Sequence, residues 1–268
     1  MIPVMLPTVT IDSLHVYPLK SARGIDLVRS RLGTRGLLYD RHWMFIDARG
    51  RFISQRTHPI LATLAIRLDD HELELSHPNT GTLRIPLPEP FTLDGPRQRV
   101  SIWRREHEAL DTGDTAAEYA SRLLGAPTRL VSALEANFPD GYPLLVCNLA
   151  SLKDLSERQG ASLPMNRFRP NIVLQGLAAW DEDRIAEIMI GEVRLRFVKP
   201  CTRCVITSLD QTNGESAEDP LPTLKAFRYN NALKGVTFGE NATVQSGSGA
   251  TIEVGAAVEI IWKKSSGR

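Results

Sequence analysis

Cysteine is scarce in this sequence. The 268 residues include three, Cys147, Cys201 and Cys204. Three thiols cannot build the framework of several disulfides that stabilises small secreted domains. They also cannot supply the set of four thiolates that holds an iron–sulfur cluster, so this chain alone cannot bind one in that way. If the protein needs electrons, a separate protein has to deliver them.

The sequence also lacks a long apolar run and an excess of charge of either sign. No stretch approaches the roughly 18 consecutive apolar residues of a membrane-spanning helix, so no membrane span is expected. The start of the chain, interrupted by Pro3 and Pro7, lacks the basic and apolar regions of a secretory signal, and we expect a cytoplasmic protein. Because 32 basic residues balance 31 acidic ones, no nucleic-acid partner is expected, and any basic site must be local.

The composition is that of a folded protein, with 42% hydrophobic and 24% charged residues. The length suits one large or two modest domains. Alternating and β-branched runs separated by turn residues fill the N-terminal part, which indicates a small barrel or sandwich, and helical patterns follow it. We predict a β-rich α+β fold with a β-barrel-like domain over residues 1–115, a second domain over 116–264 and a mobile tail over 265–268.

Several segments carry the local signals of single elements. Residues 43–46 and 52–53 flank a glycine-containing turn and predict a hairpin. Asp114 is a candidate N-cap of one helix, and Ser151 is a candidate N-cap of a second helix that follows a buried strand. The run VITSLD at 205–210 has the β-branched content of a strand.

The most distinctive short motif is KPCTRC at residues 199–204. Lys199 and Arg203 beside the two thiols would favour a deprotonated sulfur, which binds soft transition metals. The spacing leaves three interpretations open. A structural zinc site needs four ligands, and no second cysteine pair is present. A redox dithiol normally begins a helix, whereas a strand-like run follows here. Finally, small buried residues are the commonest fate of free cysteines.

Further polar residues stand at predicted strand ends. Lys20 and Ser21 follow a strand at a turn, where an ammonium and a hydroxyl can bind a phosphate. Arg41 stands at the entry to another strand, and Arg169 and Asn171 flank a proline that keeps the backbone extended. Each residue alone is typical of a solvated surface. They indicate a site only if the fold brings them together.

Seven motifs, taken together, resemble those of one protein family. They are YPLKS at 17–21, YDRHWMFID at 39–47, FISQRTHPILA at 52–62, NRFRPNIVL at 166–174, KPCTRCVIT at 199–207, EDPLPTLKAFR at 218–228 and FGENATV at 238–244. The chain thereby resembles the two-part MOSC proteins, which include the mitochondrial amidoxime-reducing component and bacterial reductases of N-hydroxylated bases. This resemblance implies an N-terminal β-barrel-like domain packed on a C-terminal MOSC-type β-barrel domain with a few helices.

The resemblance also implies a molybdenum–molybdopterin cofactor, and not pyridoxal phosphate. Carried over by position, Cys204 would bind the molybdenum beside the dithiolene of the pterin, as the metal ligand and catalytic residue. Cys201 would not be a ligand. The positions that the resemblance assigns to cofactor binding are Lys20, Ser21, Arg41, Ser151, Arg169, Asn171, Thr202, Arg203 and Cys204.

These cofactor positions fall into groups. Lys20, Ser21 and Arg41 match the residues around the phosphate of the pterin, and an Arg41→Ala variant is therefore expected to retain less cofactor but still to fold. Arg169 and Asn171 match residues that line the pterin, and Thr202 and Arg203, next to Cys204, match residues that contact the cofactor. Ser151 matches the strand-to-helix region near the cofactor, where the segment NLAS departs from the family pattern.

As a function, the resemblance implies a molybdenum-dependent oxidoreductase. Its substrates would be small N-hydroxylated molecules, namely hydroxylamines, N-hydroxylated bases or amidoximes, and a separate flavin, iron–sulfur or haem protein would supply the electrons. The same residues also fit a molybdopterin carrier or a sulfur-handling protein without turnover of its own. Turnover of a hydroxylamine by metal-loaded protein separates the two functions.

Overall fold

The structure is a computed structural model that describes residues 8–87, 95–134 and 137–264, so the predicted tail lies outside the described residues. The strands within them are β1 Thr10–Val16, β2 Ile25–Leu27, β3 Arg29–Gly33, β4 Gly36–Leu37, β5 Trp43–Asp47, β6 Ala65–Leu68, β7 Glu72–His77, β8 Gly81–Pro86, β9 Arg97–Ile102, β10 Arg105–Asp111, β11 Thr128–Ala133, β12 Leu144–Asn148, β13 Ile172–Gln175, β14 Ile185–Ile190, β15 Val193–Thr202, β16 Tyr229–Asn230, β17 Gly235–Ser246, β18 Thr251–Glu253 and β19 Glu259–Trp262. The predicted β-rich α+β class is confirmed.

Helices are few and short. The α-helices within the described residues are α1 Asp114–Leu124, α2 Leu149–Gln159 and α3 Leu221–Phe227. Short 3-10 helices cover Pro59–Ala62, Met165–Phe168, Asp181–Arg184 and Val205–Ser208. Among the described residues, no helix has the length and apolar character needed to cross a membrane.

The largest sheet has nine strands, in the order β19, β14, β15, β17, β12, β13, β1 and β2, with β16 paired to β17. The first strand lies antiparallel to β13, with Leu14 opposite Ile172. Strands β12 and β13 run parallel and are joined through α2. The N-terminal strand is thus part of a sheet built mainly from the second half of the chain, and the domain division at residues 115 and 116 stays a prediction.

Three smaller sheets complete the described fold. They have the orders β5–β11–β10–β9, β18–β3–β4 and β6–β7–β8. Helix α1 packs beside β11, and the wholly buried Phe45 and Leu130 lie in the same apolar cluster as Tyr119 of that helix. A separate cluster, which includes Phe168 and Phe238, lies between α2, α3 and the large sheet. The burial of these aromatic side chains is a main source of stability for the layers.

The predicted hairpin is confirmed and the predicted strand at 205–210 is wrong. Ile46 pairs with Phe52 across the turn. Residues 205–208 form a 3-10 helix because both the backbone N–H and the hydroxyl of Thr207 donate to the carbonyl of Cys204. A threonine hydroxyl that bonds to the local backbone competes with strand pairing, which β-branched content alone does not reveal.

Both predicted helix caps are wrong by one to three residues. Asp114 is the first helical residue of α1, and Gly113, with a φ of 96°, is its N-cap. The N-cap of α2 is Asn148, whose side-chain oxygen accepts from the backbone N–H of Ala150 at 3.0 Å. Ser151 lies inside that helix. Asparagine caps helices as well as serine does, and here it stands where the strand ends.

Gly239 lies where β17 approaches β12, and its lack of a side chain is required. Its φ is 73°, and a Cβ atom there would lie 2.7 Å from Sγ of Cys147 and 2.9 Å from the carbonyl oxygen of Val146. Gly160, which follows α2, has a nearly identical φ of 71° in the left-handed region, but a Cβ atom there would meet no described atom within 4 Å. Alanine substitutions at the two glycines therefore distinguish the cost of backbone strain from the cost of steric crowding.

We expect Gly239→Ala to lower the free energy of unfolding by about 2 to 5 kcal/mol, since backbone strain and overpacking add. Gly160→Ala should cost only the strain, about 1 to 2 kcal/mol. Denaturant-induced unfolding of both variants measures the difference. Equal losses for the two variants would contradict the crowding assigned to Gly239.

Candidate functional site

A cavity of about 350 Å³ is lined by segments that lie far apart in the sequence. These segments include residues 20–21, 41, 52–56, 103, 139–145, 168–171, 199–206 and 241. Every predicted cofactor-binding residue except Ser151 lines this cavity. The fold therefore brings together basic residues and the thiol of Cys204, as the hypothesis of a single site requires.

Lys20 lies in the turn after β1, and its ammonium is almost wholly buried. Its Nζ donates to Oδ1 of Asp140 at 2.6 Å, and the side chain is 5% exposed. The same atom lies 4.9 Å from the ring centre of Phe52. Burial lowers the pKa of Lys20, and the neighbouring Asp140 carboxylate opposes that shift. Lys20 is therefore a buried cation with one acidic partner.

Ser21 continues this turn in a left-handed backbone conformation, with a φ of 67°. Its Oγ accepts from the backbone N–H of Gln55 at 2.9 Å. This bond joins the turn after β1 to the segment after β5, and it leaves the serine hydroxyl proton to donate elsewhere.

Two guanidinium groups enclose the ring of Tyr17. The central carbons of Arg41 and Arg169 lie 4.5 Å and 4.2 Å from its centre. Arg41 Nη1 also donates to the buried carboxylate of Asp40 at 2.5 Å. Burial lowers the pKa of Arg169 to about 10. Its guanidinium group therefore still carries a positive charge at neutral pH. Contact with the aromatic face and with Asp40 offsets the repulsion between the two cations.

Asn171 holds these groups in place. Its Oδ1 accepts from Nη1 of Arg41 at 3.0 Å and from the backbone N–H of Leu145 at 3.1 Å. Its Nδ2 donates to the carbonyl of His15 at 3.3 Å. Both ends of the amide are thus engaged within the protein, and the residue positions Arg41 near the start of β12.

The thiol of Cys204 follows the end of β15, on extended backbone just before the 3-10 helix of residues 205–208. It is partly exposed, and its sulfur has no hydrogen-bond partner among the described residues. Sγ of Cys201 instead accepts from Nη1 of Arg203 at 3.0 Å, while Nη2 of that arginine donates to the carbonyl of Phe168 at 2.7 Å. The arginine of the motif therefore engages Cys201 and leaves the sulfur of Cys204 available to a ligand.

Two of the three interpretations of the thiols, the structural zinc site and the small buried residues, can be compared with this geometry. Within the described ranges, no group of three or more histidine, cysteine or acidic side chains could hold a metal ion. Cys147 is the one cysteine that is wholly buried, and burial raises the pKa of its thiol. Cys201 and Cys204 are only partly buried and line the cavity.

Ser151 does not reach the cavity. It is wholly buried in α2, where its Oγ donates to Oε2 of Glu182 at 2.8 Å and accepts from the backbone N–H of Trp180 at 2.8 Å. The structure therefore gives Ser151 a structural role, because both hydrogen-bonding functions of its hydroxyl are used inside the core.

Four lining residues that make polar or cation–π contacts were not among the predicted site residues. Asp140 accepts from Lys20, and Trp103 Nε1 also donates to it at 3.1 Å. Arg56 lies 4.3 Å above the ring of Trp103, and Tyr142 lies 5.4 Å from Nζ of Lys199. The signal that could have identified Trp103 is its place in a hairpin turn, where a large aromatic residue is unusual.

The lining is strongly basic although the whole chain is nearly neutral. Among the described lining residues, the basic ones are Lys20, Arg41, Arg56, Arg169, Lys199 and Arg203, and the only acidic one is Asp140. The Nε atom of Arg203 is buried and has no hydrogen-bond partner among the described residues. Cations at one part of a cavity and a free thiol at another fit a pterin monophosphate that carries a metal.

Two parts of this chain match known domain families. Residues 8–127 match the MOSC N-terminal beta barrel domain, and residues 133–259 match the MOSC domain. Mitochondrial amidoxime-reducing component 1 of Mus musculus is 31% identical over 82% of this chain and 71% of its own length. Mitochondrial amidoxime reducing component 2 of Homo sapiens is also 31% identical, over 82% of this chain and 72% of its own length.

A solved structure, the YUAD protein from Bacillus subtilis, is similar over 96% of this chain and 97% of its own. Its sequence identity is 8% and its TM-score 0.44, values at which the likeness supports no conclusion.

Proposed function

The chain belongs to the MOSC family that includes the mitochondrial amidoxime-reducing components, and from this membership we propose that it is a molybdenum-cofactor-dependent reductase of N-hydroxylated compounds. Its substrates would be hydroxylamines, N-hydroxylated bases or amidoximes. A cytoplasmic location remains part of this proposal.

One observation carries the proposal. The thiol of Cys204 and a cluster of buried cations line the same cavity, although Lys20 and Arg41 lie far before Cys204 in the sequence. A cluster of cations with one acidic neighbour favours an anionic ligand. A partly exposed thiol beside that cluster supplies a ligand for a soft metal. A metal-bearing pterin phosphate is a ligand class that uses both features.

The residues of this chain then have distinct roles. Lys20, Arg41 and Arg169 would balance the charge of the pterin phosphate, and the Ser21 hydroxyl would donate to it. Cys204 would be the protein ligand of the metal. When bound, the cofactor would supply two-electron redox chemistry at that metal.

The overall reaction takes two electrons and two protons for each N–O bond that breaks. It releases water and leaves the amine or amidine. The electrons would come from a separate flavin, iron–sulfur or haem protein, since the sequence has too few thiols for a four-thiolate cluster of its own. The protein's own task is to hold the cofactor and to admit the small substrate.

We expect metal-loaded protein to reduce benzamidoxime to benzamidine with a chemical reductant. The protein should be produced in a host that makes molybdopterin, and its molybdenum content should be measured in the same preparation. Product formation is followed by chromatography, with protein from a molybdopterin-deficient host as the control.

Turnover that scales with molybdenum content supports the reductase. Protein that carries molybdenum and pterin but turns over neither benzamidoxime nor a simple hydroxylamine would instead be a carrier or sulfur-handling protein, the alternative function for the same residues. Protein that carries no molybdenum from a competent host contradicts both.

A further inference from the structure

Asp140 is unusual because it is the one acidic residue among the described residues that line the cavity. Its Oδ1 accepts two hydrogen bonds, from Nζ of Lys20 at 2.6 Å and from Nε1 of Trp103 at 3.1 Å. A carboxylate at this place occupies the donors that an incoming anion needs. The other acid close to these cations, Asp40, does not line the cavity.

The two acids differ in how firmly they are held. Asp40 is 1% exposed and accepts from the backbone N–H of Tyr17 as well as from Arg41. Asp140 is 66% exposed, and its described partners are two side chains. It lies in a loop next to Gly141, ahead of β12. Displacing Asp140 breaks hydrogen bonds to side chains alone, whereas displacing Asp40 would also break the bond from the backbone N–H of Tyr17.

The net charge of the cation cluster also favours displacement of Asp140 by an anion. Lys20, Arg41 and Arg169 face Asp40 and Asp140, which leaves a net charge of one positive unit. Without Asp140 the cluster has two positive units. A phosphate monoester carries about two negative charges at neutral pH. Displacement of Asp140 therefore leaves these three cations with one more uncompensated positive charge for this ligand.

Trp103 is the second partner of this carboxylate. It sits in the two-residue turn between β9 and β10 with a φ of 57°, a left-handed conformation that is strained for an aromatic residue. Its ring contacts Phe52 edge-on and lies under Arg56. The strained turn holds the indole N–H toward Asp140.

We propose that Asp140 is a displaceable internal anion of the cofactor site, which neutralises Lys20 in the free protein and is replaced by the phosphate of the incoming ligand. The inference rests on the proposed function for the identity of that ligand, a phosphate monoester. It makes Asp140 and Trp103 determinants of how tightly the protein retains its cofactor.

The test uses full-length protein free of cofactor, titrated with inorganic phosphate in a calorimeter. We expect Asp140→Asn to bind phosphate about tenfold more tightly than the unmodified protein, because the variant keeps the shape of the side chain and loses the competing charge. Asp70→Asn, at an exposed carboxylate outside the cavity, is the matched control and should leave the dissociation constant unchanged. Lys20→Met should abolish the binding in both backgrounds.

A second readout needs no change at Asp140. In the unmodified protein, phosphate should shift the indole N–H resonance of Trp103 as its bond to Asp140 breaks, and the Trp103→Phe variant assigns that resonance. Equal phosphate affinity in Asp140→Asn and unmodified protein overturns the inference, as does an indole signal that is unmoved at saturation or an absence of phosphate binding.

Neither readout depends on turnover. If loaded protein fails to reduce amidoximes while Asp140→Asn still binds phosphate more tightly, the proposed function fails and the displaceable anion stands. If amidoximes are reduced while the two affinities are equal, only the displaceable anion fails.

Discussion

Cys204→Ala protein is expected to lose both its molybdenum–thiolate absorption and its turnover of N-hydroxylated substrates, and to remain folded. The sulfur lies at the cavity surface with no hydrogen-bond partner among the described residues, so its removal opens no core. Loss of an outer partner of a metal site costs roughly 10- to 100-fold in activity or metal affinity. Loss of the single protein ligand should cost more than that.

The matched control is Cys201→Ala, since both thiols line the same cavity three residues apart. Cys201 receives a hydrogen bond from Arg203, and its loss should loosen that arginine without removing the metal. Molybdenum content by mass spectrometry and visible absorption compare the two variants. Equal loss of metal from both would show that Cys204 is not the sole protein ligand, and normal metal content in Cys204→Ala would remove it from the site.

Much of the fold was readable from local patterns. The hairpin at 43–53 follows from two apolar runs around a glycine turn, and the strand and helix at 144–159 follow from an apolar run before a helical period. Two of the three local errors came from competition between hydrogen bonds. Thr207 turned a β-branched run into a 3-10 helix, and Asn148 took the capping position that Ser151 was expected to fill. Local composition does not show which of two competing hydrogen bonds forms.

Only part of the candidate site could be predicted from the sequence. The ordered motifs assigned Lys20, Arg169 and Cys204 to one predicted cofactor site. In the structure all three residues line one cavity. Asp140 and Trp103 were not found, because their role arises from a contact across 37 residues that no short motif contains. Ser151 is the opposite case, because it is among the predicted site residues but its buried hydroxyl donates to Glu182 and does not line the cavity. Spacing identifies residue types, whereas the direction of a side chain depends on the fold.

Arg41 is the case in which the structure changes an expectation about stability. The sequence suggests a phosphate contact whose loss leaves folding intact. In the structure its guanidinium also donates to the buried Asp40, to Asn171 and to the carbonyl of Arg169. Removing one partner of a buried ion pair costs about 3 to 5 kcal/mol, because the other charge is left without compensation. The backbone N–H of Tyr17 still reaches Asp40 and places the expected loss at the lower end.

We therefore expect Arg41→Ala to lower the free energy of unfolding by about 3 kcal/mol and to reduce cofactor retention as well. Adding Asp40→Asn to this variant should recover part of the lost stability, since it removes the uncompensated charge and keeps an acceptor for Tyr17. The double variant should not recover the cofactor, because the cation is still absent. Denaturant unfolding and molybdenum analysis of both variants separate the two roles. If Arg41→Ala loses cofactor at unchanged stability, the buried pair contributes nothing and Arg41 serves the phosphate alone.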